Sequence, residues 1–214
     1  MKQPNPADLP LMRTRLLVLF TALPLALAQP PATSPAASLI GRWRSVETSK
    51  GGIGAVYKFN ADGTLDFSPG AIVDMPYRVE GDQLILPPAT TTGPEMKSTL
   101  TWPSNNVLRM SMQGQSEEYQ RQSAADPRDR LLGEWLTWRE MDGQKMPEQM
   151  FFYPGGKSLL VIRFTTQKGR YSVTNGRLVG ELGGRVGLDG AFDFANGVLS
   201  IHRSNGRVTK LARY

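Results

Sequence analysis

The feature that most constrains this chain is an internal repeat. Leu39-Ile40-Gly41-Arg42-Trp43 recurs 92 positions later as Leu131-Leu132-Gly133-Glu134-Trp135. In the same order, Phe59-Asn60-Ala61-Asp62-Gly63-Thr64 answers to Phe152-Tyr153-Pro154-Gly155-Gly156-Lys157, and Tyr77–Leu84 to Tyr171–Leu178. Asn106–Met110 matches Gly197–Ile201, and the closing Tyr119-Gln120-Arg121 matches Leu211-Ala212-Arg213. Matches that keep both order and spacing indicate tandem duplication of one structural unit. The sequence therefore divides into repeat 1 (residues 39–122), a charged, Pro-containing linker (123–130) and repeat 2 (131–214).

Within each repeat, apolar residues alternate with polar ones and are punctuated by turn dipeptides such as Asp62-Gly63, Gly81-Asp82, Asn175-Gly176 and Asn196-Gly197. Period two broken by such dipeptides is the pattern of hairpins. It predicts strands near 41–48, 53–59, 63–68, 75–80, 83–87, 97–103, 107–112 and 116–122, with a parallel series near 133–140, 149–154, 157–164, 168–174, 177–182, 190–195, 198–203 and 207–213. No segment carries helical periodicity. Eight sequential antiparallel strands leave two free edges unless the sheet closes, so the expected fold is all-β: two tandem small up-and-down antiparallel β-barrels of about eight short strands each. The chain's 40% hydrophobic content is enough to fill such cores, and its 22 Gly and 16 Pro suit a turn-rich architecture.

The segment before the repeats reads as a targeting signal. Arg13 and Arg15 form a basic region, Leu16–Leu25 an apolar one, and Ala26-Leu27-Ala28 a small-x-small cleavage site. Residues 1–28 are expected to be a cleaved signal peptide and 29–38 a Pro/Ala/Ser linker, with Met12 as an alternative start. The apolar stretch is shorter than the ~20 residues that span a bilayer, so the mature protein is expected to be secreted or periplasmic with no transmembrane segment.

At this point the repeats resemble a known family. A Gly-x-Trp opening the first strand, an eight-strand meander and an Arg on the last strand are similar to the lipocalin and calycin families, particularly the short bacterial lipocalin-like domains. The resemblance covers each repeat, through Gly41, Trp43 and Arg121 in the first and Gly133, Trp135 and Arg213 in the second. It implies that each terminal Arg lies across the first-strand Trp of its own repeat and closes the barrel base, and that a small hydrophobic or amphipathic molecule is the class of ligand. Each repeat is shorter than a full lipocalin, and the chain has no helix signal and no Cys.

The residue inventory removes much chemistry. With no Cys there are no disulfides, thiolate metal sites or cysteine nucleophiles, and a single His (His202) cannot supply a two-imidazole site. His202, in Ile201-His202-Arg203, stands on a predicted strand whose apolar residues take the alternate positions, and should point outward. Asp62, Asp66, Asp74, Glu80 and Asp82 have no EF-hand spacing and read as turn chemistry. Gly183-Gly184-Arg185-Val186-Gly187 reads as a turn or bulge, since no helix follows to hold a phosphate. No catalytic residue, metal or cofactor is assigned, and the chain is read as non-enzymatic.

Alternation sends Trp43, Phe59, Leu65, Tyr77, Val79, Leu84, Trp102, Leu108, Met110, Met112 and Tyr119 inward in repeat 1. In repeat 2 it does the same for Trp135, Phe152, Leu160, Tyr171, Leu178, Phe192, Phe194, Leu199, Ile201 and Val208. Eight-stranded barrels are just wide enough to be filled by side chains or to hold one small ligand. If a cavity exists, Tyr77, Trp102, Met110 and Met112 are its candidate lining. Two further readings stand beside the ligand one. Filled barrels could act as a protein-interaction or inhibitor module toward an envelope or extracellular protein. The basic second repeat, with twelve Lys+Arg against seven Asp+Glu where the first has eight against nine, could bind polyanions, although nothing resembles a specific nucleic-acid module.

Overall fold

A computed structural model describes residues 35–88 and 93–214; the expected signal peptide, and residues 29–34 of the linker after it, lie outside the described residues. After a single helical turn, α1 (Pro35–Leu39), repeat 1 forms β1 (Gly41–Ser45), β2 (Ile53–Phe59), β3 (Thr64–Pro76), β4 (Arg78–Glu80), β5 (Gln83–Leu86), β6 (Met96–Ser104), β7 (Val107–Met112) and β8 (Gln115–Arg121). Repeat 2 forms β9 (Gly133–Met141), β10 (Gln144–Tyr153), β11 (Lys157–Arg163), β12 (Gln167–Thr174), β13 (Arg177–Leu182), β14 (Arg185–Ala195), β15 (Val198–Arg203) and β16 (Val208–Arg213). Every strand pairing is antiparallel. Gly183-Gly184 makes the β13–β14 turn, and the register shift beside Gly180 makes Gly187 part of a bulge.

An eight-stranded barrel closes, but it is not built from one repeat. Its order is β12-β13-β14-β15-β16-β1-β2-β3, and the first half of β3 pairs back to β12 through Leu65↔Gly169 and Thr64↔Arg170. Three strands of repeat 1 and five of repeat 2 thus make one ring. The expectation of one barrel per repeat is corrected accordingly. The other eight strands, β4 to β11, form a second lobe, again mixed: β8 of repeat 1 pairs with β9 of repeat 2 through Gln120↔Leu136 and Arg121↔Trp135.

The exchange happens where two long segments cross. The second half of β3 leaves the barrel and pairs with β11, from Gly70↔Arg163 to Pro76↔Lys157. Tyr77 then donates its N–H to the Gly156 carbonyl (2.7 Å), and the chain continues as β4 on β5. Gly70 and Arg163 occupy the same position in the two repeats and face each other, so the crossing lies on a pseudo-twofold axis. A Cβ on residue 70 would sit 2.3 Å from the Ile162 carbonyl oxygen, closer than any side chain tolerates. Only glycine lets the two backbones approach this closely. The two strands expected near 63–68 and 75–80 therefore belong to one strand, Thr64–Pro76, with Ser68-Pro69-Gly70 in its middle.

Alternation assigns the inward residues correctly for the most part, but they sort into two cores by strand exchange rather than by repeat. The barrel core joins Leu39, Trp43, Tyr57, Phe59 and Leu65 to Leu178, Leu188, Leu199, Ile201 and Leu211. The second core joins Leu84, Leu100, Leu108 and Tyr119 to Leu131, Leu132, Trp135, Met150 and Phe152. Val79, Phe194 and Val208 are exposed, because they sit near strand ends where the sheet no longer covers them. Between the lobes lies a third cluster, Val56, Ile72, Phe151, Leu159 and Val161, on the outer faces of β2, β3, β10 and β11. These four strands are apolar on both faces, as strands buried on both sides must be.

Candidate functional site

The Gly-x-Trp and Arg residues form two matched closures, each with exchanged partners. Arg213 stacks over Trp43 (4.6 Å to the ring centroid) and Arg121 over Trp135 (4.1 Å), so each Arg serves the Trp of the other repeat. Each indole N–H is satisfied by the carbonyl four residues before it, Trp43 by Leu39 (2.7 Å) and Trp135 by Leu131 (2.8 Å). Each guanidinium also binds carbonyls of the chain entering the first strand. Arg213 takes Ser38 (2.7 Å) and Ile40 (3.0 Å), and Arg121 takes Leu132 (3.0 Å) and Arg130. The glycine of the motif follows from this packing: a Cβ on Gly41 would lie 2.9 Å from Arg213 Nη1, and its φ of +131° is unsuited to an L side chain. These residues are architectural.

The four candidate ligand residues do not converge on one free space among the described residues: Tyr77 alone lines a hollow, of about 430 Å³, with Val79, Arg128, Asp129 and Leu132. Tyr77 packs edge-on against Phe152 (5.0 Å) and donates to the Tyr153 carbonyl (3.3 Å). Trp102 lies against Trp135 (5.7 Å) with Arg130 over its other side (3.9 Å), and Met110 packs on the same core. Met112 is 41% exposed and does not join them, which corrects its placement on the inward face. His202 points outward, as expected, and meets Asp193 at 2.6 Å. Asp62 and Glu80 are spent locally, Asp62 accepting from the Thr64 N–H (2.9 Å) and hydroxyl (2.6 Å) and Glu80 pairing with Arg78, while Asp74 pairs with Arg44 of β1. Among the basic residues of repeat 2, Arg177 pairs with Asp189 (2.7 Å), Arg203 binds the Thr209 hydroxyl (3.0 Å) and Arg213 is committed to Trp43.

Three features were not visible in the sequence. The first is a polar cluster inside the second lobe. Glu148, 2% exposed, accepts from the Tyr119 hydroxyl (2.6 Å) and from Arg139 Nε, while a Glu117 oxygen lies 3.0 Å from the same hydroxyl. Burial and the facing Glu148 carboxylate push the Tyr119 hydroxyl far above its ordinary range. At the positions equivalent to Glu148, Tyr119 and Arg139, the barrel has Ala55, Leu211 and Glu47.

The second is a ribbon. β9 pairs with β10 as far as Met141↔Gln144, whereas the β10–β11 ladder begins only at Glu148↔Ile162 and the β8–β9 ladder stops at Gln120↔Leu136. Thr137–Met141 and Gln144–Pro147 therefore extend as a two-stranded projection whose outer edges no other described strand pairs. It carries Trp138, 60% exposed, and Met141, 42% exposed. The sequence placed 141–148 in a loop, because Pro147 and the Asp142-Gly143 turn hide the alternation.

The third is the junction between the lobes. Arg42 and Glu134, the variable residues of the two Gly-x-Trp motifs, form a two-pronged ion pair (2.7 Å each), and Gln149 adds a bond to Glu134 (2.7 Å). The Glu134 carboxylate raises the Arg42 pKa, and the guanidinium lies 5.3 Å from the rings of both Phe151 and Tyr214. Beside this pair run two adjoining grooves that share Arg44 and Asp74. One, of about 460 Å³, is walled by Met75, Pro76, Tyr153, Lys157, Ser158, Arg213 and Tyr214; the other, of about 520 Å³, by Val46, Thr48 to Gly52 and Ile72 to Val73.

Comparison with known proteins gives no match to this architecture or sequence: no protein-family model, no curated protein and no solved structure matches the chain.

Proposed function

We propose that the protein is a non-enzymatic interaction module of an extracytoplasmic space, which engages a protein partner through the β9–β10 ribbon. One observation carries this reading: Trp138 stands 60% exposed on a projection whose main-chain edges no other described strand pairs. Exposed Trp is the side chain most enriched at binding hot spots, and a free strand edge can add a partner strand by main-chain hydrogen bonds. Pro147 lies on the other edge, that of β10, where a proline limits self-association. The signal-peptide pattern of residues 1–28 supports the compartment, and the lipocalin-like resemblance is kept as a likeness of architecture. On that likeness the second lobe is read as a second barrel, closed through the bent β3–β4 segment.

A small apolar ligand inside a barrel is the weaker reading, because Tyr77, Trp102 and Met110 are already packed against their own core. The test is a photoreactive residue at Met141 in the mature chain, illuminated in the native extracytoplasmic fraction, with the same residue at Glu181 on the barrel as comparison. The expected result is one discrete adduct from position 141 that disappears with Trp138→Ala. Equal labelling from both positions, or an adduct indifferent to Trp138, would defeat the proposal.

A further inference from the structure

We infer that the groove along the lobe junction is a binding site for a small organic carboxylate with an aromatic or aliphatic body. Its anchor is Arg44. The side chain is 17% exposed, and only Nη2 meets an acceptor, Asp74 Oδ1 at 2.7 Å. Its Nε is buried without a partner among the described residues. A guanidinium offers a planar fork of donors suited to a carboxylate, and Asp74 engages only one of them here. Asp74 is 64% exposed, so its ion pair with Arg44 is a weak surface pair that an incoming carboxylate can displace.

The charge around the anchor is mostly positive. Lys157 lines the first groove and Lys50 the second, and neither ammonium has an acceptor among the described residues. Arg213 adds positive field, although its donors are spent on Ser38 and Ile40. Asp74 is the one carboxylate lining either groove. Ser158 spends its hydroxyl on the Met75 carbonyl (3.0 Å), and the rest of the first groove is apolar or aromatic: Met75, Pro76, Tyr153 and Tyr214. Both tyrosines are held by Phe151, Tyr153 stacked on it (7° between planes) and Tyr214 edge-on (90°), so they present fixed faces rather than mobile side chains. A bare inorganic anion would leave those faces unused, and an uncharged apolar molecule would leave Arg44 and Lys157 unanswered. Site shape and chemistry together select an amphipathic anion.

The test is calorimetric titration of the mature chain with 2-naphthoate, with 2-naphthylmethylamine and inorganic phosphate as comparison probes. Expected are one-to-one binding of naphthoate that weakens with salt, no binding of the amine, and no competition by phosphate at equal concentration. Lys157→Gln should weaken naphthoate about tenfold, or 1.4 kcal/mol, and Arg44→Gln should abolish it. Lys145→Gln, on the ribbon, should change nothing. Lys157 is exposed, so its variant folds even if Arg44→Gln does not. Binding of the amine as strongly as naphthoate, equal competition by phosphate, or affinity indifferent to Lys157 would each overturn the inference. Trp138→Ala should leave naphthoate binding intact, which keeps this site separable from the ribbon.

Discussion

Strand exchange between the repeats makes a sharp prediction: cutting the linker should not separate them. Ala124 and Ala125 are exposed, so a protease site inserted between them can be cleaved in the folded state. Each core draws about half of its buried side chains from each repeat. Pulling the repeats apart would expose all ten buried residues of the barrel core. At ~1.5–3 kcal/mol per large apolar side chain, that alone is on the order of 15–30 kcal/mol, larger than the ~5–15 kcal/mol that holds a typical domain folded. Even after the ~4–15 kcal/mol that two chains lose on association, the nicked halves should remain one complex at micromolar concentration. The assay is size-exclusion chromatography with native mass spectrometry before and after cleavage. The expected species has the intact mass plus one water, and falls into two fragments only in denaturant. Each repeat expressed alone should be unfolded by circular dichroism. Two independently folded fragments after cleavage would refute the exchanged topology.

Further predictions follow from the closures, the tyrosines and the polar cluster. A double-mutant cycle should couple Trp43 to Arg213 by ~0.5–2 kcal/mol and show no coupling of Trp43 to Arg121, read from denaturant midpoints. Trp43→Ala alone should cost ~3–5 kcal/mol, because the indole is 2% exposed. All six tyrosines are held above their ordinary pKa, chiefly by burial, with Tyr214 at about 12. Their neutral forms stabilise the fold fully below pH ~10, and that stability is lost as pH rises toward their folded values. Absorbance at 295 nm should therefore show little phenolate at pH 10 and then a cooperative rise that coincides with loss of the β-sheet signal. Glu148→Ala should destabilise by ~2–3 kcal/mol, lowering Tm by several degrees, since it leaves the buried Tyr119 hydroxyl without its main acceptor; Glu148→Gln should recover part of the loss.

Strand positions, the inward face and the duplication were legible because period two and the turn dipeptides are local signals. Asn175-Gly176 and Asn196-Gly197 turn the chain where expected, with Asn175 and Asn196 at positive φ. Which strands share a ring was not legible. Trp43 looks the same in sequence whether Arg121 or Arg213 lies over it, because the two arginines occupy equivalent positions at the ends of their repeats. The deciding element is Ser68-Pro69-Gly70, at which the strand expected near 63–68 ends, and its actual role is set by a distant backbone, that of Ile162. The outer-face cluster was missed for a related reason: Val56, Phe151 and Val161 interrupt the alternation only because a second lobe covers them. The candidate site suffers most. Arg44, Asp74 and Lys157 come from β1, β3 and β11, and nothing short of the crossing brings them together.

Comparison of equivalent positions separates what the frame requires from what it does not. The closures are duplicated nearly atom for atom, with Trp43 and Trp135 each bound to the carbonyl four residues before and each covered by an Arg from the other repeat. Such features are needed wherever this ring is built. The buried Glu148 cluster is not, since the barrel closes with Ala55, Leu211 and Glu47 in its place, and a polar network in a core costs stability unless every member is satisfied. Trp138 is likewise unmatched, its counterpart being Val46, in a connection that folds back through Gly52 onto Ile72. An exposed Trp brings the fold no burial and adds an aggregation hazard. A feature that the frame does without in one copy, and that costs something in the other, is best accounted for by a role outside the frame. By that argument the ribbon, with the Glu148 cluster at its base, is where a partner should be sought first.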